Sequence, residues 1–104
     1  MKATDNVLFY MRIEDVFFIK CRGLVATGKI EHGSVIVGDA LNVKTENGNQ
    51  VKENIRLDGL EIFGHITVAT EGMNIGLFFK IPHVQTIDEA LEILPIRQGH
   101  IFWK

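Results

Sequence analysis

Residues 23–29 read Gly23-Leu24-Val25-Ala26-Thr27-Gly28-Lys29, close to the spacing of a phosphate-binding loop. In such a loop, glycines let backbone N–H groups reach the phosphate oxygens and the lysine neutralises them. The same chemistry requires a Ser or Thr after the lysine to hold magnesium, and a helix whose N-terminus faces the phosphates. Here Ile30 follows Lys29, and the stretch between the glycines favours a strand. Nucleotide binding is therefore not expected from this match.

The remaining reactive side chains do not group. Glu14 and Asp15 are adjacent carboxylates, but successive residues of a strand point to opposite faces, so the two cannot converge on one substrate atom. His32, His65, His83 and His100 have no second ligand at a metal-binding spacing, and Cys21 is the only cysteine. Ser34, the only serine, sits in Gly-Ser-Val-Ile, which is not a nucleophile elbow. No catalytic residue, metal or cofactor is expected, and the chain is read as a binding protein rather than an enzyme.

The elements around these residues are mostly strands. Residues 8–19 are rich in Phe, Tyr, Ile and Val and predict a strand pair or one bent strand. A strand over 24–30 follows, and Gly33 is expected to turn the chain into Ser34-Val35-Ile36-Val37. Gly38-Asp39 marks the next turn. Leu41, Val43 and Thr45 alternate with polar neighbours up to Asn47-Gly48, the pair that predicts a type I′ hairpin with both residues at positive φ. The returning strand over 51–57 meets Asp58-Gly59, read as a bulge that bends one long strand through to Phe63. Short strands over 66–69, 74–81 and 100–103 complete the set, a spacing that argues for a barrel or sandwich.

One segment departs from this. In Thr86-Ile87-Asp88-Glu89-Ala90-Leu91-Glu92-Ile93-Leu94-Pro95, Thr86 and Glu89 form a capping box and Pro95 stops a short helix near 87–94. Ile87, Ala90, Leu91 and Leu94 share one face, which must dock against something because so short a helix is marginal in water. That face either plugs an open barrel end or, through Ile87, Leu91 and Leu94, forms a partner or dimer surface.

Composition bounds the rest. With 104 residues the chain suits one domain, 1–104. Hydrophobic residues at 46% and charged residues at 23% belong to a globular chain rather than a disordered one. A net charge of −2 gives no overall field toward nucleic acid or an acidic membrane, so any nucleic-acid contact must be local. No export or membrane segment is expected, since the apolar run 7–11 ends at Arg12; the expected compartment is the cytoplasm.

In order and spacing, Ile13-Glu14-Asp15-Val16-Phe17, Arg22-Gly23 through Thr27-Gly28-Lys29-Ile30-Glu31 and Gly33 through Val37-Gly38-Asp39 resemble the second domain of elongation factor Tu. Leu60-Glu61-Ile62-Phe63 and Gly72-Met73-Asn74-Ile75-Gly76-Leu77 are similar to its later strands, and Ile96-Arg97-Gln98-Gly99-His100-Ile101 to its closing strand. The resemblance spans nearly the whole chain. It implies an all-β fold, the closed six-stranded antiparallel Greek-key barrel shared by translational GTPases, in which a separate domain hydrolyses GTP. These 104 residues hold only the barrel, so GTP hydrolysis is not expected of them.

In that family the barrel also lines the pocket for the aminoacylated end of tRNA. The resemblance places Ile19 and Val25 in the apolar wall, Glu61 at a terminal ribose and Asn74 at the aminoacyl group. Cys21 stands where the family has glycine, Gly64 replaces a basic residue, Phe63 stands at a variable polar or aromatic position, and Glu71 replaces alanine. The helical segment 86–94 is an insert relative to the family. Two functions are expected to compete: a translation-related binding module for tRNA, the ribosome or a GTPase domain in trans, and a homo-oligomer that associates through a sheet edge or the insert.

Overall fold

The computed structural model describes residues 7–62 and 66–104. Alternating apolar residues generate strands β1 (Phe9–Arg12), β2 (Asp15–Ile19), β3 (Gly23–Ile36), β4 (Ala40–Lys44), β5 (Gln50–Arg56), β6 (Gly59–Glu61), β7 (Val68–Thr70), β8 (Asn74–Lys80) and β9 (Ile101–Trp103), with helix α1 (Ile87–Ile93) before the last. Their pairings are all antiparallel, in the order β5-β4-β9-β1-β3-β8-β6, with β2 and β7 added on β3. The sheet curls around one core. Phe9 and Met11 on β1, Leu24 on β3, Leu41 on β4, Leu77 on β8 and Phe102 on β9 are all fully buried. Burial of such side chains contributes about 1.5–3 kcal/mol each.

The two ends of the hydrogen-bonded path, β5 and β6, are separated in the chain only by Leu57 and Asp58. Leu57 N–H donates to the Asp39 carbonyl (2.9 Å), whereas Asp58 N–H donates to the Phe78 carbonyl (3.0 Å) and the Asp58 carboxylate accepts from Lys80 N–H (2.7 Å). At these two residues the chain leaves one neighbour for the other. This is the bend expected at Asp58-Gly59, although it interrupts the strand instead of bulging within it; Phe63 lies outside the described residues.

Gly33 does not turn the chain. It sits inside the 14-residue strand β3 at φ 74°, and a Cβ there would lie 1.8 Å from the Leu8 carbonyl oxygen, so β1 passes directly against its backbone. The neighbouring register slips from Tyr10–His32 to Met11–Ile30, leaving Glu31 as the extra residue of a bulge. The hairpin at Asn47-Gly48 forms, but only Gly48 takes positive φ (90°). Thr45 accepts from Gly48 N–H (2.9 Å) and donates its own N–H to Asn49 (2.8 Å), a wider loop than a type I′ turn. On β5, Asn54 at φ 55° absorbs an irregular register, and its N–H donates to the Asn42 side-chain oxygen (3.2 Å).

Helix α1 begins as its capping residues dictate. Thr86 is extended, and its Oγ1 accepts from Glu89 N–H at 3.2 Å. Ala90 is fully buried and Leu94 is 3% exposed, while Leu91 packs half-buried against the core and Ile87 remains 41% exposed. The helix is thus anchored through the Ala90–Leu94 edge.

Asp39 ties the turn after β3 to the end of β9. Its carboxylate accepts from Ile36 N–H (2.9 Å) and from Lys104 Nζ (2.6 Å). Burial alone would raise its pKa, but the Lys104 hydrogen bond, the Ile36 N–H and the Lys104 charge together hold it below 3.8. Folding then favours the ionised form, so this stabilisation is complete above about pH 4 and disappears as pH falls through the depressed folded value. His100 is shifted down from 6.5, first by burial and then by the Arg97 charge, and its Nδ1 is buried without a partner among the described residues. It contributes stability above 6.5 that is lost as pH falls below that value. Thermal melting from pH 7 to pH 3 should therefore show two declines. Asp39→Asn should remove the lower one and cost about 1–3 kcal/mol at neutral pH; an unchanged acid limb would contradict the assignment.

Candidate functional site

The pairing of β2, β3, β8 and β6 creates an outward-facing surface. Directly opposed residues in neighbouring strands point to the same side, so Phe17, Val25, Phe78 and Gly59 form one row, and Asp15, Thr27, Gly76 and Glu61 the next. Across this second row lies a cleft of about 490 Å³, the size of a small-ligand site.

Gly76 makes the cleft possible. A Cβ on it would come within 2.7 Å of Val25 Cγ1 and 3.2 Å of Glu61 Cβ, so its missing side chain lets the walls approach while leaving a floor. Val25, only 7% exposed, and Ile75 supply apolar walls, with half-buried Ile62 at the side. The polar groups stand at the rim: the exposed carboxylates of Glu14 and Glu61, the exposed amide of Asn74 and the half-buried hydroxyl of Thr27. Thr27 Oγ1 donates to the Asp15 carbonyl at 3.4 Å, and Glu14 N–H donates to the Thr27 carbonyl at 2.7 Å, which fixes Glu14 beside the cleft.

Among the described residues this lining contains two carboxylates and no cation. It suits ligand groups that donate hydrogen bonds, such as sugar hydroxyls or an ammonium, and disfavours a phosphate in the cleft itself. Cations stand further along the same surface. Lys80 is opposed to Gly23, and the Arg22 guanidinium lies over the Phe78 ring at 5.7 Å from its centroid.

Three of the residues singled out in the sequence, Val25, Glu61 and Asn74, meet in this cleft. Ile19 does not line it. It shares the outward face but pairs with Gly23, one row beyond Phe17 and Val25. Leu94 is packed into the core and Leu91 half into it, so of Ile87, Leu91 and Leu94 only Ile87 is exposed to solvent. Glu14, Thr27 and Gly76 were not foreseen as lining residues. A glycine between Ile75 and Leu77 in a strand was the available signal, since such a glycine marks close approach of neighbours.

The stretch resembling a phosphate loop lies wholly within β3, and its backbone pairs with β2 on one side and β8 on the other. Among the described residues, no three His, Cys, Asp or Glu side chains come together as metal ligands would. Phe63, Gly64 and His65 lie outside the described residues.

No family model matches the sequence. Among solved structures, the chain is similar to translation elongation factor SelB from Methanococcus maripaludis in its apo form, with a TM-score of 0.69 and 26% identity over 100% of this chain. The chain spans 20% of the length of that protein. Its curled antiparallel sheet with one short helix is thus the fold of a translation-factor domain. No helix among the described residues is long and apolar enough to cross a membrane.

Proposed function

We propose that this chain is a non-catalytic, cytoplasmic binding module related to the second domain of translation elongation factors, and that the cleft over Gly76 takes the aminoacylated end of an RNA. The observation that carries this is the convergence of Val25, Glu61 and Asn74, the wall, ribose and aminoacyl positions of the family resemblance, around one cleft. The lining chemistry supports it, because a terminal ribose and an aminoacyl ammonium both donate hydrogen bonds while carrying no phosphate. Phosphates of preceding nucleotides would run toward Arg22 and Lys80, outside the cleft. In this reading β5 and β6 act as one bent strand, closing the curled sheet into a six-stranded Greek-key barrel.

Filter binding of aminoacylated and deacylated tRNA at moderate salt tests the proposal. The aminoacylated form should bind more tightly, and Glu61→Ala should weaken it by about 10–100-fold, the loss of a hydrogen bond to a charged group. Arg22→Ala should instead weaken both forms equally and flatten the salt dependence. Binding no tighter than to an unrelated RNA, or retention by ribosomes or a GTPase domain without any effect of Glu61→Ala, would overturn it.

A further inference from the structure

Strand β2 has an open edge. Among the described residues it pairs with β3 alone. The Ile19 carbonyl accepts from Arg22 N–H (2.9 Å), and the Asp15 carbonyl faces the Thr27 hydroxyl. Backbone groups alternate in direction along an antiparallel strand, so the odd-numbered residues are turned toward β3 and the N–H and C=O groups of Val16 and Phe18 face outward. Proteins usually protect such an edge with lysine, proline or a covering element. Here the strand reads Asp-Val-Phe-Phe-Ile, and Phe17 is 54% exposed at its centre.

The charges at the ends of this strand are opposite. Glu14 and Asp15 precede its apolar part and Lys20 follows it, all three exposed. Neither Glu14 nor Lys20 has an ion-pair partner among the described residues. We infer that β2 pairs with β2 of a second copy of this chain, antiparallel about a two-fold axis at Phe17.

That register satisfies three conditions together. Val16 stands opposite the partner's Phe18, so the outward-facing backbone groups pair in four hydrogen bonds across the axis. Phe17 stands opposite the partner's Phe17 in a close, non-hydrogen-bonded pair with Cα atoms about 4.5 Å apart. Glu14 and Lys20 lie just beyond the two ends of β2, so the antiparallel arrangement brings each near the opposite charge of the partner, an ion pair made twice. Shifting the register by two residues separates the charges and leaves Phe17 without its mate. The contact is one strand wide, so the dimer is weak and concentration-dependent. It does not depend on what occupies the cleft, although Glu14 belongs to both surfaces.

Sedimentation of the full chain should show a reversible monomer–dimer equilibrium. Glu14→Lys or Lys20→Glu alone places like charges opposite each other twice and should weaken association by about tenfold or more; the double variant Glu14→Lys/Lys20→Glu should restore it. Phe17→Cys with Cys21→Ser should cross-link rapidly under mild oxidation, because opposed cysteines at this spacing meet disulfide geometry. Asp15→Cys in the same background should cross-link slowly. Circular dichroism confirms folding of each variant. A monomer at every accessible concentration overturns the inference. So does a double variant as weak as the single ones, or equal cross-linking at positions 15 and 17.

Discussion

Phe102→Ala is expected to lower the free energy of unfolding by about 3–5 kcal/mol, measured by urea denaturation with an unchanged slope. Phe102 is fully buried at the middle of β9, where it opposes Met11 on β1 and Val43 on β4. Its ring stacks on Phe79 of β8 with centroids 5.0 Å apart and planes at 19°, so one side chain joins strands from opposite parts of the curl. Removing it leaves a cavity that the surrounding β strands can close only in part. A domain of this size has about 5–15 kcal/mol of stability in total, so the loss is a large fraction. The adjacent Trp103 supplies the internal contrast. It is larger but points to the other face, half-buried, with Lys44 Nζ 5.4 Å from the centre of its ring. Trp103→Ala should cost less than Phe102→Ala. The reverse order would mean that the core does not lie inside the curl.

The same pair shows why the strands were legible in the sequence. Alternation of apolar and polar residues records which side of each strand meets the core, and it is written locally in residues such as Phe9-Tyr10-Met11-Arg12. The capped helix was legible for a similar reason, since Thr86, Glu89 and Pro95 act within one or two turns. The cleft was not. It depends on Glu61 and Thr27 flanking Gly76, three residues from distant parts of the chain whose register no local pattern fixes. Only the family resemblance pointed to Val25, Glu61 and Asn74, and it also pointed to Ile19, which lies a row away. Gly33 was misread because positive φ in a glycine serves equally in a turn and where another strand presses against its backbone, and the pressing strand, β1, lies far away in sequence.

Gly28→Ala and Lys29→Ala bear on the phosphate-loop resemblance directly, because the two possible roles of this dipeptide predict opposite outcomes. In a phosphate loop the lysine contributes most, through the charge it places on the ligand. In β3, Gly28 is the point where the strand crosses the end of β1. A Cβ there would fall 2.3 Å from the Arg12 carbonyl oxygen and 3.2–3.3 Å from two carbons of the Met11 side chain. The methionine can shift, but the carbonyl belongs to backbone already committed to the sheet, so the strands must separate. Gly28→Ala is therefore expected to cost about 3 kcal/mol or more, at the upper end of overpacking effects. Lys29 is exposed, with no carboxylate at ion-pair distance among the described residues, and its replacement by alanine should change stability by less than about 0.5 kcal/mol. Melting curves of the two variants with and without magnesium–ATP separate the roles. A nucleotide-dependent shift that Lys29→Ala abolishes would reinstate the phosphate site, whereas a ligand-independent loss confined to Gly28→Ala identifies the glycine as the place where two strands need room to cross.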